Sequence, residues 1–170
     1  MTSVAPEDSA ARARRRTTNH IKESLRALSI QLSLLNHRVG ARLELKDVDF
    51  DCLDLINRHG PLSPSALARR AGLHPATMTG ILDRLERGGW IARERDPSDR
   101  RAVVVRPQRD RVGEVYGLYS GMNGSMDALC ADYDEAELQL LAGFLERVTE
   151  AGRIATDDLT DAGHGQAPTG

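Results

Sequence analysis

The chain has 170 residues, 40% of them apolar, with 23 basic and 25 acidic side chains for a formal net charge of −2. That is enough chain for one well-filled core, and with no long apolar run and no apolar section behind the N-terminal arginines, neither a membrane span nor a secretory leader is expected and the cytoplasm is the expected location. The five histidines (His20, His37, His59, His74, His164) are scattered, and Cys52 and Cys130 lie far apart. They match no zinc, disulfide or catalytic spacing, so neither an enzyme nor a metal or cofactor is expected.

The balanced total conceals an uneven distribution. Between positions 61 and 110, Arg69, Arg70, Arg84, Arg87, Arg93, Arg95, Arg100, Arg101, Arg106 and Arg109 outnumber Asp83, Glu86, Glu94, Asp96, Asp99 and Asp110. From Asp134 onward acidic residues dominate, with only Arg147 and Arg153 against them. A polyanionic partner would therefore meet the middle of the chain, because binding follows where charge sits and not its sum.

In chain order, residues 1–17 carry Arg12, Arg14, Arg15 and Arg16 without a periodic apolar side and are expected to form a mobile basic arm. Residues 18–46 hold Ile21, Leu25, Leu28, Leu32, Leu35 and Val39 at steps of four and three, the seam of a long helix that needs a partner. A core helix over 48–59 turns Phe50, Leu53, Ile56 and Cys52 inward and stops at Gly60-Pro61.

The densest signal follows. Ser63 can cap a helix opened by Pro64, with Leu67 and Ala71 on its apolar side. Gly72 suits the positive φ of a sharp turn, and His74-Pro75 opens a second helix whose Ile81, Leu82 and Leu85 bury one side. Thr77, Met78, Thr79 and Gly80 are left on the opposite or leading side, small and slender enough for a groove. Gly88-Gly89 ends the helix, and DPSDRR turns the chain between a strand from Trp90-Ile91 and a strand at Val103 to Val105. The order is that of a winged helix-turn-helix over 47–106.

Residues 107–156 hold two further seams: Val112, Val115, Tyr119, Met122, Met126, Leu129 and Tyr133, then Leu138, Leu141, Leu145 and Val148, the latter opened by Asp134 and Glu137 at capping-box spacing. Gly113, Gly117 and Gly121 recur on one side of the first; either another helix backbone comes close there or the helix is bent or interrupted. Residues 157–170 have no apolar period and are expected to be disordered. The fold class is mainly α with a small β wing, a winged helix-turn-helix joined to a dimerisation lobe of N- and C-terminal helices. Ile21, Leu25, Leu28, Leu138, Leu141, Leu145 and Val148 are the expected dimer contacts.

Across roughly positions 20 to 155 the chain resembles the MarR-type transcriptional regulators, most specifically in LDRLERGGWI followed by RERDPSDRR. It differs from their usual pattern at His74, Gly80 and Arg106-Pro107. The resemblance implies a homodimeric repressor of an inverted-repeat operator in double-stranded DNA. The helix matching 75–87 would enter the major groove and Arg101 the minor groove, with Asp99 holding it. Thr77 and Thr79 can hydrogen-bond bases or phosphates, and Met78 and the threonine methyls can meet thymine methyls. His74, Ala76, Arg84, Arg93, Arg95, Ser98 and Arg100 complete the expected DNA-facing set. Ser63 and Ser65 are either phosphate anchors or helix caps, and the arginines of the arm either touch DNA backbone or stay solvated. Relatives bind phenolic or other aromatic effectors between the two lobes, which points to Asn36, His37, Arg38, His59 and Trp90 as ligand contacts. The alternatives are redox control through Cys52 or Cys130, and a winged-helix module that binds protein.

Overall fold

The computed structural model describes residues 6–96 and 102–164, with side chains from 9 to 96 and from 102 to 159. The elements are α1 (Pro6–Arg42), α2 (Asp47–His59), α3 (Pro64–Ala71), α4 (Pro75–Arg87), β1 (Ile91–Arg95), β2 (Val103–Pro107), α5 (Arg109–Leu118), α6 (Ser120–Cys130) and α7 (Glu135–His164). This is the mainly helical chain with a small wing that the residue pattern predicts.

One core organises it. Phe50, Leu53 and Ile56 of α2, Leu67 of α3, Met78, Ile81, Leu82 and Leu85 of α4, and Trp90, Ile91 and Val105 of the wing are buried together, and Val39 and Leu43 bring in the end of α1. Each short helix starts where its residues allow. The Ala66 N–H donates to Ser63 Oγ at 3.2 Å, one of the orphan first-turn donors, and Pro64 needs none. Gly72 takes φ 63°, the left-handed conformation that lets α3 reverse into α4 within three residues. At the other end of α4 a Cβ on Gly88 would lie 2.8 Å from Trp90 Cδ1, so only glycine lets the buried indole close over the helix end.

The wing is an antiparallel pair with Ile91 opposite Pro107, Arg93 opposite Val105 and Arg95 opposite Val103. The loop before α3 joins it: Leu62 N–H donates to the Val105 carbonyl at 3.2 Å and Val105 N–H to the Leu62 carbonyl at 2.8 Å. The wing is thereby tied to the entrance of the helix-turn-helix. Trp90 anchors its far side, with the Arg111 guanidinium 3.6 Å above its ring and its carbonyl accepting from Gln108 N–H at 2.9 Å.

The structure differs from two expectations about the flanking segments and narrows a third, left open between two alternatives. The basic arm expected over 1–17 is helical from Pro6 onward, as a stretch rich in alanine and arginine favours, and Thr17 and Thr18 donate their hydroxyls to the carbonyls of Ala13 and Arg14 one turn back. The disordered tail expected from 157 is helical to His164, because α7 continues through it. The helix after the wing is interrupted, α5 ending at Leu118 and α6 starting at Ser120, with Tyr119 at the break. Added Cβ atoms at Gly113, Gly117 and Gly121 would meet nothing within 4 Å, so within one chain the interruption, and not a close helix approach, goes with these glycines. The Tyr119 hydroxyl donates to Asn36 Oδ1 at 2.6 Å and pins the break to α1.

The opening of α7 follows the capping-box spacing: Glu137 N–H donates to Asp134 Oδ1 at 2.9 Å and Asp134 N–H to Glu137 Oε2 at 3.0 Å. Among the described residues no helix is long and apolar enough to cross a membrane, and no group of His, Cys, Asp or Glu side chains is placed to hold a metal ion.

Candidate nucleic-acid interface

Helix α4 has two unlike sides. Met78, Ile81, Leu82 and Leu85 face the core, while Ala76, Thr77 and Thr79 are exposed and Gly80 is half-buried beside them. His74 caps the helix, its Nδ1 accepting from Ala76 N–H at 3.2 Å, which requires the neutral ring with its proton on Nε2. The Thr79 hydroxyl donates to the Pro75 carbonyl at 3.1 Å, leaving its methyl and an oxygen lone pair outward. At its leading turns this side presents nothing longer than threonine, with the exposed Asp83 and Arg87 following toward the far end, so the start of the helix can come close to another surface, the requirement for lying in a groove about 12 Å wide.

The orientation of α4 is fixed by a contact across 35 residues of sequence. Arg84 Nε donates to Asp49 Oδ2 at 2.8 Å and Arg84 Nη2 to Asp49 Oδ1 at 2.6 Å. Asp49 is only 2% exposed, so its charge has little water to rely on and depends on this fork. The hydrogen bond to Asp49 holds the Arg84 guanidinium above its ordinary value, against the smaller opposing effect of burial.

The wing is braced on α4 by Arg93. Its Nη2 donates to Asp83 Oδ1 at 2.6 Å, its Nη1 lies 3.5 Å from Glu86 Oε2, and its backbone N–H donates to Glu86 Oε1 at 3.2 Å.

The expected DNA-facing set therefore divides. Ala76, Thr77, Thr79 and Ser65 are exposed around the turn, and Arg95 is exposed on β1. Ser63 is occupied as a cap. Met78 is 1% exposed and is corrected to a core residue: with 81, 82 and 85 it completes the inward stripe at helical spacing, so it cannot meet a thymine methyl. Arg84 and Arg93, expected among the groove contacts, serve as internal braces on Asp49 and on Asp83 and Glu86, while the Arg84 side chain stays 39% exposed with Nη1 outside the fork. Ser98, Asp99, Arg100 and Arg101 lie outside the described residues.

Of the expected ligand contacts only Asn36 and His37 are brought together, in a recess with Leu32, Asp47 and Asp51. Trp90 is corrected to a core residue at 3% exposure, closed off by Arg111. Asn36 accepts from Tyr119, and His37 Nδ1 lies 2.8 Å from Asp47 Oδ1. Arg38 borders a recess of about 670 Å³ with Leu35, Val39, Arg42, Gly117 and Leu118, whereas His59 borders a different groove of about 820 Å³ between α2, α3 and α7. Cys52 is buried, and burial first, then the charges of Asp49 and Asp51, pushes its thiol up to about 11. That is the reverse of what an oxidant-sensing thiolate needs. Cys130 is half-buried at the end of α6.

A short capped helix, a glycine turn, a second helix with a slender exposed side and a two-stranded ribbon braced against it define a winged helix-turn-helix DNA-binding protein. Residues 45–103 match the MarR family. Along most of its length the chain is similar to the uncharacterised HTH-type transcriptional regulator YcgE of Bacillus subtilis, with 31% identity over 142 residues, 79% of this chain and 92% of that protein. It is also 27% identical over 92 residues to the HTH-type transcriptional repressor YetL of Bacillus subtilis, 52% of this chain and 55% of that one. A solved MarR family protein from Bacillus stearothermophilus superposes with a TM-score of 0.62 at 19% identity, over 81% of this chain and 96% of that chain, which is a likeness of fold. The chain belongs to the MarR family of transcriptional regulators, a family of DNA-binding proteins and not of enzymes.

Proposed function

We propose that two copies of this chain bind an inverted-repeat operator as a repressor, each placing α4 in the major groove through Ala76, Thr77 and Thr79. The observation that carries this is the two-sidedness of α4, its inner stripe locked into the core and its outer side slender and exposed. YetL, similar over about half of this chain, is named a repressor, which supports that direction of control.

The apolar seams support pairing. Ile21 is 39%, Leu28 44%, Leu141 43% and Leu145 47% exposed in the single chain, with Leu25, Leu138 and Val148 half-buried among them. Stripes of this size on a helix are ordinarily covered, and residues 18–46 and 107–156 would cover each other between two subunits, leaving 47–106 to read DNA.

Release by a small ligand would work by differential affinity for a dimer whose α4 helices are wrongly spaced. The recess bordered by Arg38 and Arg42 offers two cations beside apolar Leu35, Val39 and Leu118, a fit for an aromatic anion. Salicylate is the probe: at saturation it should weaken operator binding, and undiminished binding would remove the ligand step alone.

The core reading is tested by operator binding to the DNA upstream of the chain's own gene, with sedimentation of the free protein. A dimer that protects a two-fold symmetric site, with an Arg101→Ala variant weaker by about 1–3 kcal/mol but still dimeric, is expected. A monomer, or equal affinity for every duplex, would overturn it.

A further inference from the structure

We infer that the N-terminal half of α1 carries a second surface for duplex DNA, indifferent to sequence and separate from α4 and the wing. α1 is one continuous helix of 37 residues, and the side chains from 9 to 24 are exposed. Arg12, Arg15, Arg16, Lys22 and Arg26 recur at helical spacing on one side, while Ile21, Leu25, Leu28 and Leu32 recur on the other. Between positions 9 and 26 the acidic residue is Glu23 alone. Whatever covers the apolar seam therefore turns the cationic stripe outward.

The second observation is how charge is used elsewhere. Arg58, Arg84, Arg93, Arg106, Arg111 and Arg153 each have a carboxylate partner within the chain, while Arg69, Arg70, Arg87, Arg95 and Arg109 of the reading lobe, like the stripe, enter no ion pair among the described residues. Among the described residues Arg15, Arg16, Lys22 and Arg26 enter no ion pair, so four cations in less than five turns are left for an outside anion.

Length and placement select the anion. From Arg12 to Arg26 the stripe runs about 21 Å at 1.5 Å per residue, alongside roughly a dozen duplex phosphates at one charge per about 1.7 Å. Counted the same way from Val39, where α1 enters the core, it begins about 20 Å from the reading lobe and ends about 40 Å away. It therefore serves a different stretch of DNA from the half-site facing α4 of the same chain. Arginine forks suit phosphate oxygens, and this side offers no base-reading pattern, so affinity without sequence preference follows.

The inference is tested in the full chain with the variant R15Q/R16Q/K22Q/R26Q, since glutamine keeps helix propensity while removing charge. Binding is measured against salt on a short duplex that only covers the operator and on a long non-operator duplex, and capture of a second labelled duplex by operator-bound protein is scored. The expected result is unchanged affinity for the short duplex, a log-log salt slope on the long one shallower by up to about four per chain, and loss of second-duplex capture. A lysine-for-arginine variant at positions 15, 16 and 26 should restore both. Equal slopes for variant and parent would overturn the inference, as would parallel losses on both duplexes. Retained DNA behaviour together with lost binding to phosphatidylglycerol vesicles would also overturn it, by assigning the stripe to a membrane surface.

Discussion

Asp49 on α2 and Arg84 on α4 meet through two parallel hydrogen bonds, and the carboxylate is almost wholly buried while the guanidinium is 39% exposed. This asymmetry makes the two halves of the pair unequal. Removing Arg84 strands a charge with no route to water, whereas removing Asp49 leaves an arginine that can swing into solvent. Arg84→Ala is expected to destabilise the protein by about 3 kcal/mol and Asp49→Ala by about 1–2 kcal/mol, read from urea unfolding. Both should weaken operator binding beyond the loss of stability, because α4 loses its fixed angle. Equal destabilisation by the two variants would show that the pair is not closed in solution.

Cys52 sets an alkaline limit. Its folded thiol stands at about 11 against an ordinary 9.0, so the folded state holds the proton more tightly than the unfolded state does. The associated stability is complete below about pH 9 and declines as pH rises toward 11, by an amount on the order of 2–3 kcal/mol. Cys52→Ala should abolish that part of the decline. In the native protein at pH 8, Cys130 should react with a thiol reagent well before Cys52; rapid labelling of Cys52 would contradict its burial.

Gly88 is the tightest glycine position at the end of α4. A methyl there meets the indole of Trp90 at 2.8 Å, and the ring cannot retreat because Arg111 lies on it. Gly88→Ala is expected to cost about 1–3 kcal/mol and to lower the melting temperature. A change in the near-ultraviolet signal of the one tryptophan should accompany it; an unchanged spectrum and melting temperature would show that the indole does not sit over α4 as described.

The elements legible in the sequence are those with a local cause. Ser63-Pro64, Gly72 and the Asp134 to Glu137 box act within one helical turn, so residue type alone places them. Met78 was also legible, since 78, 81, 82 and 85 form one stripe, but its size between two threonines suggested a groove contact. The helix from Pro6 to Thr17 has no apolar period to reveal it and rests on propensity. Asp49 is different again: a carboxylate four and seven residues before Leu53 and Ile56 lies on the inward stripe of α2 and so demands a partner, but nothing nearby in sequence names Arg84. A ligand site is hard to read for the same reason, because a cavity gathers residues by packing and not by spacing.

The account depends on the outer side of α4 reading base pairs. The direct measurement is the ratio of operator to random-duplex affinity, at fixed salt, for Thr77→Ala and Thr79→Ala. The predicted result is a loss of discrimination of about 1–3 kcal/mol for at least one of them, with random-duplex binding and the fold unchanged. Undiminished discrimination in both variants and in the double variant would contradict it.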